Sequence, residues 1–513
     1  MYPGTHAALA PDRPAAILAD TGEVLTYGQL DENSIRLSRV LYDAGVRPGD
    51  GIALLTDNDV RAFEVYWAAL RSGLYITVVN HHLAPEEVAY IVNDSGARAV
   101  IASAAKADLA AAIVDLTPGV TLRLVFGGDV AGHSPYEQAL AAASAVPFEN
   151  QPHGSAMLYS SGTTGRPKGV RPPLPSGQIS DTGDPMLVLL GSYFGFGSDT
   201  VYLSPAPIYH AAPLRWTTGV QAYGGTVVIT KKFDAEATLR AIETYSVSHA
   251  QFVPTMFVRM LQLPEDVRAK FDTSSMRLAV HAAAPCPIDV KQRMIEWWGP
   301  ILVEYYAGTE GNGMTITDSD VWQRKPGTVG RAAIGVLHIC DDAGNELAAG
   351  EIGSVYVERD DRVFEYHNDP EKTRAAQHPD HPNWTTLGDV GYVDDEGFLF
   401  LTDRKAFMII SGGVNIYPQE TENVLALHPS VFDVAVIGLP DAEMGESVNA
   451  FVQLVDGVQP SAELAADLIA FVKAKIASFK APRSVRFVDS LPRTETGKLV
   501  KGLLKKKYAD SAT

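Results

Sequence analysis

Residues 159–170 read Tyr-Ser-Ser-Gly-Thr-Thr-Gly-Arg-Pro-Lys-Gly-Val. Two hydroxyl pairs, Ser160-Ser161 and Thr163-Thr164, alternate with Gly162 and Gly165, and Lys168 closes the stretch. Glycine lets successive backbone N–H groups curl toward an anion, and hydroxyls and an ammonium add further donors. The composition is that of a polyphosphate cradle. A Walker A loop requires Gly at its sixth position and Ser or Thr after its Lys. Counted from Gly162, the sixth residue is Pro167, the seventh Lys168 and the eighth Gly169. No hydroxyl follows the lysine, so the stretch points to a nucleoside triphosphate held in another way.

The bulk properties set the frame around this loop. A chain of 513 residues exceeds one ordinary core, and two or three domains are expected. Hydrophobic residues make up 46% and charged residues 20%, as in a folded globular protein. The formal charge is 42 − 61 = −19, which disfavours a nucleic-acid partner. Cys286 and Cys340 show no CxxC spacing, so neither a zinc site nor a disulfide framework is implied. His281 and Cys286 lie near one another in sequence, but small apolar neighbours and the lack of an orienting partner favour packing over a nucleophile. The first residues lack the basic and apolar regions of a signal peptide. The longest apolar stretch, around Pro185–Gly197, is too short to span a bilayer. A reducing cytoplasmic location with at most peripheral membrane contact is expected.

Outward from the loop, strand and helix patterns alternate. Gly51–Thr56, Leu74–Val79 and Val100–Ala102 read as strands separated by helices at Arg61–Ser72 and from Pro85, with an Ala-rich helix over Ala104–Leu116. After the loop, Thr200–Ser204, Thr226–Thr230, His249–Val253, Leu278–His281 and Leu302–Tyr306 continue the series, with a helix at Asp234–Tyr245. Such alternation predicts a parallel α/β sheet. Glu351–Glu358 and Gly391–Asp403 read as smaller antiparallel β structure, the latter a hairpin turned at Asp394–Gly397. The final third holds strands at Val431–Gly438 and Ala450–Val455 and a helix at Ala462–Ser478, with a domain boundary near Asp403–Phe407. The basic tail Lys501–Lys507 reads as a solvated helix end.

Four further motifs follow in order. Residues 304–311 read Glu-Tyr-Tyr-Ala-Gly-Thr-Glu-Gly. Tyr306 can stack on a purine, Thr309 can donate to a phosphate, and Glu310 offers a hard oxygen to Mg²⁺. Leu387-Gly388-Asp389 precedes the hairpin and Thr402-Asp403-Arg404 ends it. Ser411–Pro418 reads Ser-Gly-Gly-Val-Asn-Ile-Tyr-Pro, and Pro492–Lys498 reads Pro-Arg-Thr-Glu-Thr-Gly-Lys.

With the loop at 159–170, these motifs resemble the signatures of the adenylate-forming superfamily: acyl-CoA synthetases, luciferases and peptide-synthetase adenylation domains. The resemblance runs from about Thr26 to Lys501. It departs from the usual pattern at Ala307, where Gly is common, at Val414, where Glu is frequent, and at Ala406, where the hinge residue is often Asp or Lys. The resemblance implies a large N-terminal domain over 1–403, with parallel α/β subdomains and a small β-barrel. A small, mobile α+β lid domain over 404–513 is implied to carry the catalytic lysine and the CoA-tunnel loop.

It also implies roles. Ser160, Ser161, Gly162, Thr163, Thr164, Gly165 and Lys168 would cradle ATP phosphates, with Thr163 acting in catalysis. Ala283, Ala284 and Pro285 would flank the adenine, with Tyr306, Ala307, Gly308 and Thr309 beside it. Glu310 would hold Mg²⁺. Asp389 would accept from the ribose diol and Arg404 would support the sugar, a carboxylate being a two-oxygen acceptor and Arg a rigid planar donor. Lys498 would stabilise the adenylation transition state, and Ser411, Gly412 and Gly413 would line the pantetheine path of CoA. His210 would border the acyl pocket, with Trp216 lining it. The implied activity is ATP-dependent activation of a carboxylic acid, fatty or otherwise lipophilic, with ATP, Mg²⁺ and CoA as co-substrates; the resemblance also allows a homodimer. Transfer to a carrier protein, an oxidative luciferase-like use of the adenylate and a non-catalytic nucleotide-binding protein are the rival readings.

Overall fold

A computed structural model describes residues 1–160, 167–181, 185–361, 363–404, 407–412, 414–441, 443–493 and 499–508; the side chains of Ser160, Pro185, Met186 and Arg404 are likewise outside the description. The chain forms two compact units. One comprises Met1–Phe252, Gln262–Val280 and Val363–Thr373, and the other Val253–Leu261, His281–Arg362 and Arg374–Thr513.

The first unit opens with β1 (Pro14–Leu18) and β2 (Glu23–Thr26). Then come β3 (Gly51–Leu55), β4 (Tyr75–Val78), β5 (Ala97–Ser103), β6 (Leu122–Phe126), β7 (Ser134–Pro135) and β8 (Ser155–Ala156). A short pair, β9 (Leu158–Ser160) and β10 (Lys168–Val170), precedes β11 (Val201–Ser204), β12 (Thr226–Ile229), β13 (His249–Phe252) and β14 (Leu278–His281). One sheet has the order β7-β6-β5-β3-β4-β8. All its pairs are parallel. Its β3 reads Gly-Ile-Ala-Leu-Leu and is buried throughout, as expected of a parallel strand covered on both faces. In the other sheet β14, β13, β11, β12, β1 and β2 lie side by side, parallel from β13 to β1 with β2 antiparallel at the edge.

Local signals set the helix ends. Thr26 caps the helix Tyr27–Asp43 through Gln29 in a reciprocal capping box. Pro85 and Glu86-Glu87 start the helix Pro85–Asp94. The expected helix Ala104–Leu116 is shorter: a 3₁₀ turn at Ala104–Lys106 leads into Ala107–Ala112. Ser103 accepts from the Ala105 amide and begins the turn early. No described helix is long and apolar enough to cross a membrane.

The second unit contains β15 (Leu302–Ala307), β16 (Met314–Asp318) and β17 (Arg331–Ile334), an antiparallel ladder. It continues with β18 (Val336–Cys340), β19 (Gly353–Glu358), β20 (Trp384–Val393) and β21 (Leu399–Arg404), a four-stranded antiparallel meander. The sequence-predicted β region thus takes the form of this meander, with Leu399 also bridged to Gly330. After it come β22 (Ile409–Ser411), β23 (Val414–Ile416), β24 (Val431–Asp441), β25 (Gly445–Leu454) and β26 (Ser484–Phe487). They form one sheet in the order β23-β22-β25-β24, with β26 parallel on β25. Ile409, Leu425, Val436, Ala450, Leu468 and Val472 build a core between that sheet and the helices Pro418–Leu425 and Ala462–Lys473.

Candidate active site

The first unit presents the phosphate-loop motif as the connection of a hairpin. β9 and β10 pair antiparallel with Ser160 opposite Lys168 and Tyr159 opposite Gly169. Ser161, Gly162, Thr163, Thr164 and Gly165 lie outside the described residues, as does Arg166. The stems around them are firmly held. Tyr159 donates to Asp94 Oδ2 at 2.6 Å, the His367 amide donates to the Gly169 carbonyl at 2.7 Å, and the Lys168 ammonium lies 4.9 Å from the Tyr366 ring centre. A hydroxyl- and glycine-rich connection with a lysine at its exit suits a polyphosphate.

His210 takes the N-cap position of the helix Ala211–Ala222, half-buried, its ring 4.4 Å from that of Tyr209. Trp216, on that helix, is fully buried. Its ring meets Phe194 at 4.7 Å and Phe196 at 5.7 Å and stacks on Tyr202 at 6.4 Å. It sits inside an aromatic core cluster, the ordinary fate of a large ring.

The second unit holds the motifs around Tyr306 and Asp389. β15 delivers Tyr306 and Ala307, and Gly308, Thr309 and Glu310 turn away from its end, all half-buried. Tyr306 donates through its Oη to Asp389 Oδ2 at 2.7 Å. Asp389 is buried on β20 and stands opposite Arg404 of β21 in the ladder. The two sequence motifs that hold Tyr306 and Asp389, residues 83 positions apart, therefore share one hydrogen bond. Gly308 is where the chain needs a missing side chain: a Cβ there would press on Leu387 and on Glu310 Oε2 at 2.9 Å. Ala283 holds a left-handed φ of 75°, unusual without glycine, and it and Pro285 are exposed while Ala284 is half-buried. The loop keeps a small, bare surface.

Behind that loop lies a buried charged cluster. Lys291 donates to Glu304 Oε2 at 2.6 Å, both enclosed, and His281 Nε2 lies 3.7 Å from the same oxygen. Burial, then the Lys291 charge, keeps the His281 imidazole well below its usual range and therefore neutral. Burial raises the Glu304 carboxyl, against the pull of Lys291. Burial and Glu304 push the Cys286 thiol up. A thiol held protonated is a poor nucleophile.

On the last sheet, Ser411 is buried and Gly412 adopts φ of 57°, its amide donating to the Met444 carbonyl at 2.8 Å. Gly413 and Lys498 lie outside the described residues. One sequence expectation is corrected here. Lys501 is not part of a solvated helix end: it is 6% exposed and its Nζ meets Glu422 Oε1 at 2.9 Å. The signal was available, since Lys501 shares a helix face with Leu504 three residues on, which is also buried.

The first unit thus holds the paired stems β9 and β10, and the second the contact between Tyr306 and Asp389. The chain belongs to the AMP-binding enzyme family, matching it over residues 5–365 and matching the AMP-binding enzyme C-terminal domain over residues 420–498. It is 32% identical over 511 residues to a feruloyl-CoA synthase from Amycolatopsis sp, covering 99% of this chain and 98% of that protein. It is also 32% identical over 521 residues to the fatty acid–[acyl-carrier-protein] ligase ScoC of Streptomyces coeruleorubidus, covering 99% and 96%. The crystal structure of ATP-bound MatB from Rhodopseudomonas palustris superposes with a TM-score of 0.82 at 30% identity, with each chain fully covered. The chain is accordingly an AMP-forming acid–thiol ligase of the acyl-CoA ligase family, with ATP, Mg²⁺ and CoA as its co-substrates.

Proposed function

We propose that this enzyme activates a fatty or other lipophilic carboxylic acid as its adenylate and passes the acyl group to CoA. The observation that carries the reading is the 2.7 Å contact between Tyr306 and Asp389. It joins the two motifs that the resemblance assigns to adenine and ribose, and Glu310, four residues after Tyr306, would hold Mg²⁺. Likeness to a feruloyl-CoA synthase and to a fatty acid–carrier-protein ligase supports an acid with a substantial apolar body. The second of these keeps a carrier-protein acceptor as the alternative to CoA.

A carboxylate is a poor electrophile because oxide is a poor leaving group. In the first step a carboxylate oxygen attacks the α-phosphorus of ATP and the bond to pyrophosphate breaks. Ser160, Ser161, Thr163, Thr164 and Lys168 would hold the leaving charge, with Glu310 binding the Mg²⁺ that shares it. Lys498 would offset the charge on the five-coordinate phosphorus. In the second step the CoA sulfur attacks the acyl carbon, and the carbon–oxygen bond to AMP breaks. We assign residues 404–513 to a lid that supplies Lys498 for the first step and Gly412-Gly413 for the second. His210 would border the acid, and Ala283, Ala284 and Pro285 the adenine.

The experiment is pyrophosphate release with Mg-ATP across fatty, aryl, sterol-side-chain and amino acids, with and without CoA. CoA-dependent turnover with the lipophilic acids is expected; turnover that ignores CoA would redirect the acceptor. In the same assay Lys498→Ala is expected to abolish adenylation while sparing thioesterification of supplied acyl-AMP. Equal loss of both half-reactions would sink the assignment of Lys498.

A further inference from the structure

Three helices of the first unit, Tyr27–Asp43, Arg61–Leu70 and Tyr136–Ala142, border a cavity of about 420 Å³. None of them carries a residue of the adenylating motifs. Glu64 and Tyr136 line the cavity from its buried side, at 4% and 1% exposed, and Leu140 and Ala141 add an apolar wall. Glu32 and Glu137, with side chains more than half exposed, stand where it opens to solvent.

The guanidiniums around this space are already engaged. Arg36 donates to Glu32 Oε1 at 2.9 Å and to the carbonyls of Leu140 and Ala143. Arg61 pairs with Asp59 at 3.2 Å and with Glu23 and Glu137 at 3.5 Å. Glu64 has neutral partners: Asn33 donates to its Oε1 at 2.7 Å and Tyr136 to its Oε2 at 2.8 Å. Among the described residues no cation lies within ion-pair distance of this buried carboxyl.

A buried carboxylate without a counter-charge is unfavourable, and burial accordingly raises Glu64 to about 7. Its two neighbours do not require the acid. A glutamine would accept from Asn33 through its oxygen and donate to the Tyr136 oxygen through its amide. What a carboxylate adds is a charge and an open lone pair on each oxygen, at the edge of a space large enough for a small molecule. The described residues form no metal-binding group of His, Cys, Asp and Glu, which leaves an organic cation. An ammonium has three donors and no acceptor, matching the two open lone pairs of Glu64 and the Glu137 carboxylate. Leu140 and Ala141 suit a short alkyl chain behind it.

We propose that this cavity is a binding site for a small primary alkylammonium ion seated on the Glu64 carboxylate. The inference does not rest on the proposed function. The test titrates n-butylammonium chloride into the full-length enzyme by calorimetry at pH 6, pH 7 and pH 8, with sodium chloride and 1-butanol as controls. The amine is charged throughout this range, and Tyr136 stays protonated because burial and Glu64 hold its hydroxyl well above the usual range. One saturable site is expected at pH 8. The ammonium must displace the Glu64 proton at lower pH, so its affinity is expected to fall by about tenfold between pH 8 and pH 6. Glu64→Gln is expected to weaken binding at pH 8 by about tenfold or more, the loss of a hydrogen bond to a charged group, and to remove the pH dependence. Ala141→Trp, at an exposed position of the wall, is expected to block binding with Glu64 intact, and it decides the matter should Glu64→Gln fail to fold. Equal binding of 1-butanol, affinity that does not change with pH, binding that either folded variant leaves unchanged, or no saturable binding at pH 8 overturns the proposal.

Discussion

Tyr306 shows how one side chain is legible in part. Its ring reads from the sequence as a purine platform. Its hydroxyl reads as nothing, because the partner, Asp389, lies 83 positions away. The contact makes Tyr306 an orienting group for the carboxylate that would accept from the ribose. Tyr306→Phe keeps the stacking face and removes the donor. Hydrogen bonds to charged groups contribute about 1.5–3 kcal/mol. The expected outcome is a rise of about tenfold in the KM for ATP, with the KM for the acid unchanged. Steady-state kinetics with each substrate varied in turn checks it, and an equal rise in both would move Tyr306 from the nucleoside to the general structure. Trp216 is the converse case. The resemblance offers it as a pocket wall, and its packing against Phe194 and Tyr202 is a long-range fact that no local pattern carries.

Elements were more legible than side chains because their signals are local. The glycine and hydroxyl pattern at 159–170 reads as a loop, and β9 and β10 pair on either side of its central residues. The hairpin between β20 and β21 turns at Asp394, whose carboxylate accepts from the Glu396 and Phe398 amides. What the local signal could not carry was the partner of an element. The hairpin of β22 and β23 illustrates this. Its Gly-Gly reads as a bend, but the reason for glycine at 412 is a positive φ together with the closeness of Met444. Gly412→Ala places an L-residue in the left-handed region, at roughly 1–2 kcal/mol, and forces the Met444 side chain to move. Thioesterification of supplied acyl-AMP is expected to slow by about fivefold to thirtyfold, the same strain expressed as a rate, with adenylation unaffected. Stopped-flow measurement of the two half-reactions decides this, and slower adenylation would place the glycine outside the CoA path.

At the scale of the whole molecule, five motifs in order across nearly the full length were enough to read the family and the α/β class. The division into two interleaved compact units was not readable, since short stretches such as Val253–Leu261 and Val363–Thr373 join the unit that does not hold their sequence neighbours. Burial is likewise a global property, and Glu64 carries its consequence for stability. It lies on the helix Arg61–Leu70, where a sequence reader sees an ordinary surface acid, yet it is 4% exposed. Asn33 donates to one of its oxygens at 2.7 Å and Tyr136 to the other at 2.8 Å, with Arg61 and Asp59 close by. Burial is the largest influence and raises the carboxyl from 4.5 to about 7, against the hydrogen bonds and Arg61. A raised folded value means that the folded protein binds the proton more tightly than the unfolded chain. The stabilisation is complete below the unfolded value near 4.5 and disappears as pH rises through about 7. Its ceiling is about 3 kcal/mol. Glu64→Gln retains the shape and cannot titrate. Thermal melts of the two proteins between pH 5 and pH 8 are therefore expected to diverge, the wild type losing stability relative to the variant as pH rises. Parallel curves would mean that Glu64 is ionised throughout and that its two donors, rather than burial, set its charge.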